Sequence, residues 1–178
     1  REVDLITESA MTMGDLFRAC PEEMHVFSDQ FCSMLLDNIE DDNLPDPPVC
    51  QSIMTLADVV KLSNPDDIIG YRDRMMAVVR NYTHYKYNPD NPGDVEVMTN
   101  YLEGTIYLSG AILKTFSNDE EFISDRSNIE ILFEFRLHIT PDVFKSENLD
   151  YSLILFLNCA LFNHKAARLY NIFLNHYN

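Results

Sequence analysis

Apolar side chains recur at intervals of three or four residues along most of this 178-residue chain, and that spacing predicts helices. Only 5 residues are glycine, which leaves little material for the tight turns of an all-β fold or for a Gly-rich nucleotide loop. The predicted fold class is therefore all-α, with about eight to ten helices. The clearest apolar stripe, between residues 21 and 40, consists of Met24, Phe27, Phe31, Met34, Leu35 and Ile39.

Start and stop signals divide the chain into helices and loops. Asn64-Pro65-Asp66-Asp67 predicts a new helix, with Asn64 as its N-cap, proline in the first turn and two acids after it. The stretch 40–48 carries three prolines and repelling acids, so we expect a loop there, and another over 82–93. The predicted helical segments are 4–19, 21–40, 49–62, 64–81, 94–116, a short turn or helix at 118–121, 127–138, a short helix from Thr140, 149–162 and 165–177.

The chain has no linker-like composition between two domains. We expect residues 1–21 to form an N-terminal segment with a short docking helix, and residues 22–178 to form a single helical domain. The first residue is Arg1 rather than Met and no signal-like segment follows, which indicates an excised fragment. No apolar run approaches the roughly 18 residues of a membrane span.

Acidic residues dominate the charge of the chain and concentrate near its start. The formal net charge is −16, and residues 1–60 hold 13 acids against 2 basic residues. Because phosphate backbones and anionic membranes both attract Lys and Arg, direct binding to nucleic acid or to a membrane is not expected. A basic peptide or protein surface is the natural electrostatic partner. The alternative is that the acidic surface only keeps the domain soluble.

The four cysteines indicate reduced thiols rather than a disulfide framework. Their even number permits two disulfides, but no pair has CxxC spacing, and Cys32 and Cys159 lie in apolar helical stretches where a free thiol behaves as a small core residue. Free thiols predict a cytoplasmic or nuclear location. The four positions are Cys20, Cys32, Cys50 and Cys159.

A short motif recurs at four predicted helix ends. The first residues of the four copies lie 43, 34 and 43 positions apart, and three copies carry Asn at the third place. This pattern resembles the armadillo repeat family, whose unit of roughly 40 residues ends in a buried third helix with a Leu-x-Asn-Leu-like motif. The copies are Leu36-Asp37-Asn38-Ile39, Val79-Arg80-Asn81-Tyr82, Leu113-Lys114-Thr115-Phe116 and Phe156-Leu157-Asn158-Cys159.

The resemblance implies an armadillo- or HEAT-like stack of helices that binds an extended peptide. In that family the third helices line a groove and the motif Asn hydrogen-bonds the peptide backbone, so Asn38, Asn81 and Asn158 are the implied clamp residues. Thr115 stands where the motif has Asn, and the family's Gly between its first two helices is missing. A compact helical bundle therefore stays open as the alternative fold.

Two further groups complete the predicted peptide-binding site. Tyr82, Tyr85 and Tyr87 fall on the predicted loop 82–93, where tyrosines commonly anchor partners; alternatively they tuck under the loop and pin it. The acidic residues around the groove are expected to select Lys or Arg on the partner. The residues proposed for that electrostatic role are Asp37, Asp41 and Asp42.

Nothing in the chain predicts catalysis, a cofactor or a metal. Glu130, Glu134 and His138 fall on one helix face, but a di-iron bundle needs Glu-x-x-His from two helices, so a solvated face is the simpler interpretation. The calcium-loop-like stretch 88–99 has Pro92 at a ligand position and Thr99 in place of the final Glu. Phosphate-loop, dinucleotide and nucleophile-elbow motifs are absent from the sequence.

The sequence is compatible with several functions. The leading hypothesis is a non-enzymatic interaction module or scaffold that binds a basic partner segment. The second is a viral Bcl-2-like bundle that captures an amphipathic helix, although the chain has no Trp and no Asn-Trp-Gly-Arg-like motif. The third is a metal-dependent enzyme. Formation of a homodimer is a further alternative, because the 8 Met and 11 Phe can supply apolar surface for contact with a second copy.

Overall fold

The computed structural model describes residues 2–137, and every regular element in that range is a helix. The all-α prediction is confirmed for this part of the chain. The predicted helices from Thr140 onward, together with His138, Asn158 and Cys159, lie outside the described residues. Among helices within residues 2–137, none has both the length and the apolar composition to cross a membrane.

The described residues form nine α-helices. Three short 3₁₀ helices, His25–Phe27, Ile69–Tyr71 and Glu134–Leu137, each follow or precede one of them directly. The α-helices are α1 (Glu2–Ala19), α2 (Pro21–Met24), α3 (Ser28–Glu40), α4 (Asp46–Leu62), α5 (Pro65–Ile68), α6 (Arg72–Thr83), α7 (Pro92–Thr115), α8 (Glu120–Ser124) and α9 (Arg126–Phe133).

Helix starts follow the signals in the sequence, with three corrections. The predicted loop 82–93 is wrong at both ends, because α6 runs to Thr83 and α7 begins at Pro92. Asn64 is the predicted N-cap of α5, and its side-chain oxygen accepts the Asp66 amide at 3.3 Å. The predicted loop 40–48 is wrong at its end, because α4 begins at Asp46 and takes two prolines into its first turn, where the missing N–H is tolerated. The segments 21–40 and 64–81 are each interrupted by a 3₁₀ helix rather than continuous.

The three long helices pack side by side, with α4 between α1 and α7. Small residues make the close approach possible. A Cβ atom on Gly14 of α1 would lie 3.4 Å from Asp58 Oδ2, and a Cβ atom on Gly104 of α7 would lie 3.0 Å from Ile53 Cγ2. The Thr55 hydroxyl of α4 donates to the Ala10 carbonyl of α1 at 3.0 Å. As a result α4 is buried over most of its circumference.

The shorter helices α3, α6 and α9 form a second layer on the long ones. Helix α3 packs on α4, α6 packs on α7, and α6 also touches α3 and α9. Arg74 of α6 bridges to α3 by donating to Asp37 at 2.8 Å and to Glu40 at 2.6 Å. His84 lies 3.1 Å from Glu134, which connects the end of α6 to the 3₁₀ helix after α9.

The direction of the helices decides which residues share an end of the molecule. The Tyr101 hydroxyl donates to Asp46 Oδ1 at 2.7 Å and the Thr115 hydroxyl donates to the Val60 carbonyl at 2.8 Å, so α4 and α7 run in the same direction. The Tyr82 hydroxyl donates to the Ile39 carbonyl at 2.9 Å, which joins the last turns of α3 and α6. The starts of α4 and α7 and the ends of α3 and α6 therefore meet at one end, called here the Asp46 end.

A carboxylate is buried where the three long helices meet. Asp58 of α4 accepts hydrogen bonds from Arg18 of α1 and from the Tyr107 hydroxyl of α7. The Lys61 ammonium lies 5.4 Å from the centre of the Tyr107 ring. Burial raises the pKa of Asp58, against the opposing effect of the Tyr107 hydrogen bond and the Arg18 charge. This polar group joins α1, α4 and α7.

The close approach at Gly104 predicts a large effect of added volume. Gly104→Val should lower the free energy of unfolding by about 1–3 kcal/mol, because the new methyl groups collide with Ile53. Urea denaturation followed by circular dichroism measures the change. Gly70→Ala is the matched control, since no atom lies within 4 Å of a Cβ there, and an equal midpoint for the two variants would contradict the packing argument.

The buried carboxyl predicts a pH dependence of stability. Because the pKa of Asp58 is raised in the folded chain, the protonated form is the one that folding favours, and that stabilisation is lost as pH rises through the folded pKa. Asp58→Asn should therefore lose less stability than the native chain between about pH 4 and about pH 7, measured by urea midpoints. The exposed Asp67→Asn serves as the control; equal slopes for the native chain and Asp58→Asn would refute the prediction.

Candidate functional site

A groove of about 330 Å³ opens between the first halves of α4 and α7, at the Asp46 end. On each helix the lining residues recur every three or four positions, so they share the side of that helix that borders the groove. We call this cavity the Asp46 groove. Its lining residues are Asp46, Pro47, Cys50, Gln51 and Met54 from α4, with Val97, Asn100 and Glu103 from α7.

The Asp46 groove combines an apolar wall with two carboxylates. Met54 and Val97 supply apolar surface, and Asp46 and Glu103 supply the acids. Glu103 is only 7% exposed, so its carboxylate is held in a site with little water. None of these eight lining residues is Lys, Arg or His, so the charge of the lining is negative. Part of the lining surface is apolar.

A cluster of three tyrosines supports one side of the groove. The ring of Tyr101 on α7 lies between those of Tyr82 and Tyr85, with centroid distances of 4.6 and 4.7 Å. The Tyr101 hydroxyl donates to Asp46 at 2.7 Å, and the Tyr85 hydroxyl lies 3.5 Å from the same oxygen. The cluster therefore holds the Asp46 carboxylate in a defined orientation.

Burial keeps the groups of this region protonated. It raises the pKa of Tyr82 to about 12 and also raises that of Tyr101, which donates to Asp46. The pKa of the Cys50 thiol rises to about 12, first because the thiol is buried and then because Asp46 is nearby. At neutral pH the phenols are hydrogen-bond donors and Cys50 is a thiol rather than a nucleophilic thiolate.

The structure places the predicted tyrosines largely inside the fold. Tyr82 and Tyr85 stack on Tyr101 and use their hydroxyls within the chain, and Tyr87 is half-buried against the core. Tyr82 lies in the last turn of α6 rather than in a loop, and only Tyr85 and Tyr87 belong to the segment that follows this helix. Their role in peptide binding stays a prediction.

The motif residues do not all share one surface. Asn38 and Asn81 flank the contact between Tyr82 and Ile39, so both lie toward the Asp46 end. Thr115 ends α7, and its hydroxyl donates to the Val60 carbonyl. Fourteen residues separate it from Tyr101, which corresponds to about 21 Å along a helix. The structure thus places Asn38 and Asn81 toward the same end of the fold and Thr115 at the far end.

The predicted acidic residues cluster where α3 ends. Asp37 is in an ion pair with Arg74 at 2.8 Å. Asp41 accepts the backbone amide of Asn43 at 2.9 Å, and this hydrogen bond lowers the pKa of its carboxyl. Asp42 is exposed. Its charge helps to raise the pKa of Tyr82, although burial, Cys50 and Asp46 have larger effects on that pKa. All three therefore lie near the Asp46 end, although Asp37 already has an internal cation.

The candidate metal ligands are engaged in ordinary surface pairs. Glu130 accepts from Arg126 at 2.6 Å, and Glu134 lies 3.1 Å from His84. His138 is outside the described residues. Within residues 2–137 no group of three His, Cys, Asp or Glu side chains is arranged to hold a metal ion.

Reasoning from sequence missed the groove itself. Asp46 falls in the predicted loop 40–48, and neither Tyr101 nor Glu103 is among the predicted site residues. The available signal was the i, i+3 spacing of Asn100 and Glu103 on an otherwise apolar helix, which indicates a polar strip.

Comparison of the chain with protein-family models, with curated proteins and with solved structures found no match. Support for a function therefore comes from the chain itself: the Asp46 groove, the tyrosine cluster, the charge and the order of the helices.

The raised pKa of Cys50 predicts low reactivity. Iodoacetamide at about pH 8 should alkylate Cys50 at least about tenfold more slowly in the folded chain than in urea, because little thiolate is present below a pKa of about 12. Mass spectrometry of peptides after timed quenching gives the rates for each cysteine. Cys32, whose pKa burial also raises to about 12, should behave alike. Rapid alkylation of folded Cys50 would show that the thiol is activated.

Proposed function

We propose that this chain is a non-enzymatic protein-interaction module of the armadillo/HEAT-like helical-repeat type, which binds a basic segment of a partner protein. The single observation that carries the proposal is the Asp46 groove, a partly apolar cavity with two carboxylates and, among the described residues that line it, no Lys, Arg or His. Such a lining suits a Lys or Arg side chain, whose stem is apolar and whose head is charged.

The order of the helices supports the repeat. A long helix, a short helix and a third helix recur as α1–α3, α4–α6 and α7–α9. The short helices α2 and α5 both begin with proline and two acids, and their first residues, Pro21 and Pro65, lie 44 positions apart. Each is followed by a three-residue 3₁₀ helix. A period of this length is typical of armadillo and HEAT units.

The contacts between units also support a stack. The long helices touch in the order α1, α4, α7, and the third helices touch in the order α3, α6, α9. In solenoid proteins each unit packs on its neighbours in this way and buries a continuous core. The extended surfaces of such stacks commonly serve for binding.

Charge selects the partner. The chain carries a net charge of −16, and the acids at the Asp46 end include Asp41, Asp42, Asp46 and Glu103. A lysine or arginine entering the groove would lay its stem along Met54 and Val97 and place its head near the two carboxylates of the lining. Hydrogen bonds between ionised groups are about twice as strong as neutral ones, which favours a cationic ligand.

Asn38 and Asn81 are the proposed backbone clamps. They lie in the last turns of α3 and α6, and both lie toward the Asp46 end. An amide side chain offers a donor and an acceptor, as binding of an extended peptide requires. The free thiols of Cys20, Cys32 and Cys50 fit a cytoplasmic or nuclear setting, which belongs to the same proposal.

A basic probe peptide tests the proposal. A fluorescent peptide of alternating Lys and Ala should bind the native chain, and Asp42→Asn combined with Glu103→Gln should weaken binding by roughly 5- to 20-fold, as expected for the loss of two attractive charges. Fluorescence anisotropy at low and high salt measures the dissociation constant. Affinity should fall as salt rises, because the interaction is electrostatic.

The matched control removes the same number of charges elsewhere. Asp67→Asn with Glu121→Gln alters exposed acids on α5 and α8, and should leave the affinity within about twofold of the native value. Equal weakening by both double variants would mean that the probe senses only net charge. That result would remove the groove from the proposal.

A further inference from the structure

The outer face of α1 is exposed at positions that are buried in the next long helix. Leu5, Ser9, Thr12 and Leu16 are spaced i, i+4, i+7 and i+11, so they share one side of α1, and all four are exposed. Leu5 is 64% and Leu16 is 42% exposed. The Thr12 hydroxyl donates to the Glu8 carbonyl at 2.8 Å, so its polar group is satisfied within the helix.

The corresponding face of α4 is buried within the fold: α3 packs on α4, and Ile53 of this face also lies against Gly104 of α7. The same period of 44 residues that relates Pro21 to Pro65 relates these four positions to Val49, Ile53, Leu56 and Val60. All four are at most 3% exposed. Helix α3 of the preceding unit packs on α4, and runs in the opposite direction, because the Ser63 hydroxyl after α4 meets that of Ser28 at the start of α3 at 2.6 Å.

Acids border the exposed face on one side. Asp4, Glu8 and Asp15 are exposed and follow each other at i, i+4 and i+11, next to the row of Leu5 and Leu16. Arg18 offsets part of this charge by pairing with Asp15, but α1 as a whole carries four acids against this one basic residue. A helix that covers this face therefore meets a negative edge.

We propose that this face, Leu5–Ser9–Thr12–Leu16, is the docking site for an amphipathic helix of a partner protein, with an apolar stripe bordered by Lys or Arg. The partner helix takes on α1 the place that α3 takes on α4, and its basic border lies along Asp4, Glu8 and Asp15. A second copy of the chain is the poorer occupant, because both copies carry a net charge of −16 and repel each other. This surface is separate from the Asp46 groove.

The test uses two synthetic helical peptides of about 18 residues, a length at which helices begin to be stable alone. Both carry Leu at every third or fourth position; one has Lys beside the stripe and the other has Glu. Fluorescence anisotropy should detect binding of the Lys peptide to the native chain. Leu5→Ser with Leu16→Ser should weaken it at least about tenfold, and Glu8→Lys about threefold.

Controls separate this site from other surfaces. Ile69→Ser removes an exposed apolar side chain from another part of the chain and should leave binding unchanged. In the background of Asp42→Asn with Glu103→Gln, which removes binding at the Asp46 groove, Leu5→Ser with Leu16→Ser should still weaken binding of the Lys peptide at least about tenfold, so failure here is distinguishable from failure at the groove. Circular dichroism melting confirms that each variant is folded.

Three results would overturn the inference. The first is an unchanged affinity of the Lys peptide for the Leu5→Ser, Leu16→Ser variant. The second is equally tight binding of the Glu peptide, which would show that the acidic border selects nothing. The third is a concentration-dependent dimer in sedimentation that the same double variant abolishes, because a second copy would then be the occupant.

Discussion

The close packing of α4 between α1 and α7 is the constraint on which the rest of the structure depends. It is possible because Gly14 and Gly104 present no side chain at the two contacts, where a Cβ atom would meet Asp58 and Ile53. Close-packed interiors tolerate little added volume, so the spacing of the three long helices is set by these residues. The Asp46 groove lies between α4 and α7 at one end of this layer, and the tyrosine cluster supports it there. The exposed face of α1 lies on the outer side of the same layer.

The shared direction of α4 and α7 creates the candidate site. It brings Asp46 beside Tyr101 and places Glu103 across from Met54, so charge and apolar surface meet in one cavity. The tyrosines that looked like surface anchors stabilise this end from within, because their hydroxyls and ring faces are used by the fold. The acids Asp41 and Asp42, close to the Asp46 groove, are exposed and give the Asp46 end a negative charge.

Local signals in the sequence predicted much of the fold. Asn64 marks a helix start, and its capping hydrogen bond to the Asp66 amide is present in the structure. Side-chain capping and apolar spacing act within one or two turns, so they are readable from neighbouring residues. The breaks at residues 25–27 and 69–71 were missed, because the apolar spacing continues through them. The groove was missed because its two walls lie about fifty positions apart in the chain.

The sequence by itself determined that the regular elements within residues 2–137 are helices, that the chain is acidic, and where most helices begin. Each of these depends on residue type and on contacts between near neighbours. Only the tertiary structure decided that Asp46, Tyr101 and Glu103 form one site, that Thr115 lies at the opposite end from Asn38 and Asn81, and that Leu5 and Leu16 are exposed while Val49 and Val60 are buried. The physical reason is that the pairing and direction of helices follow from side-chain packing between distant segments, which no local pattern encodes.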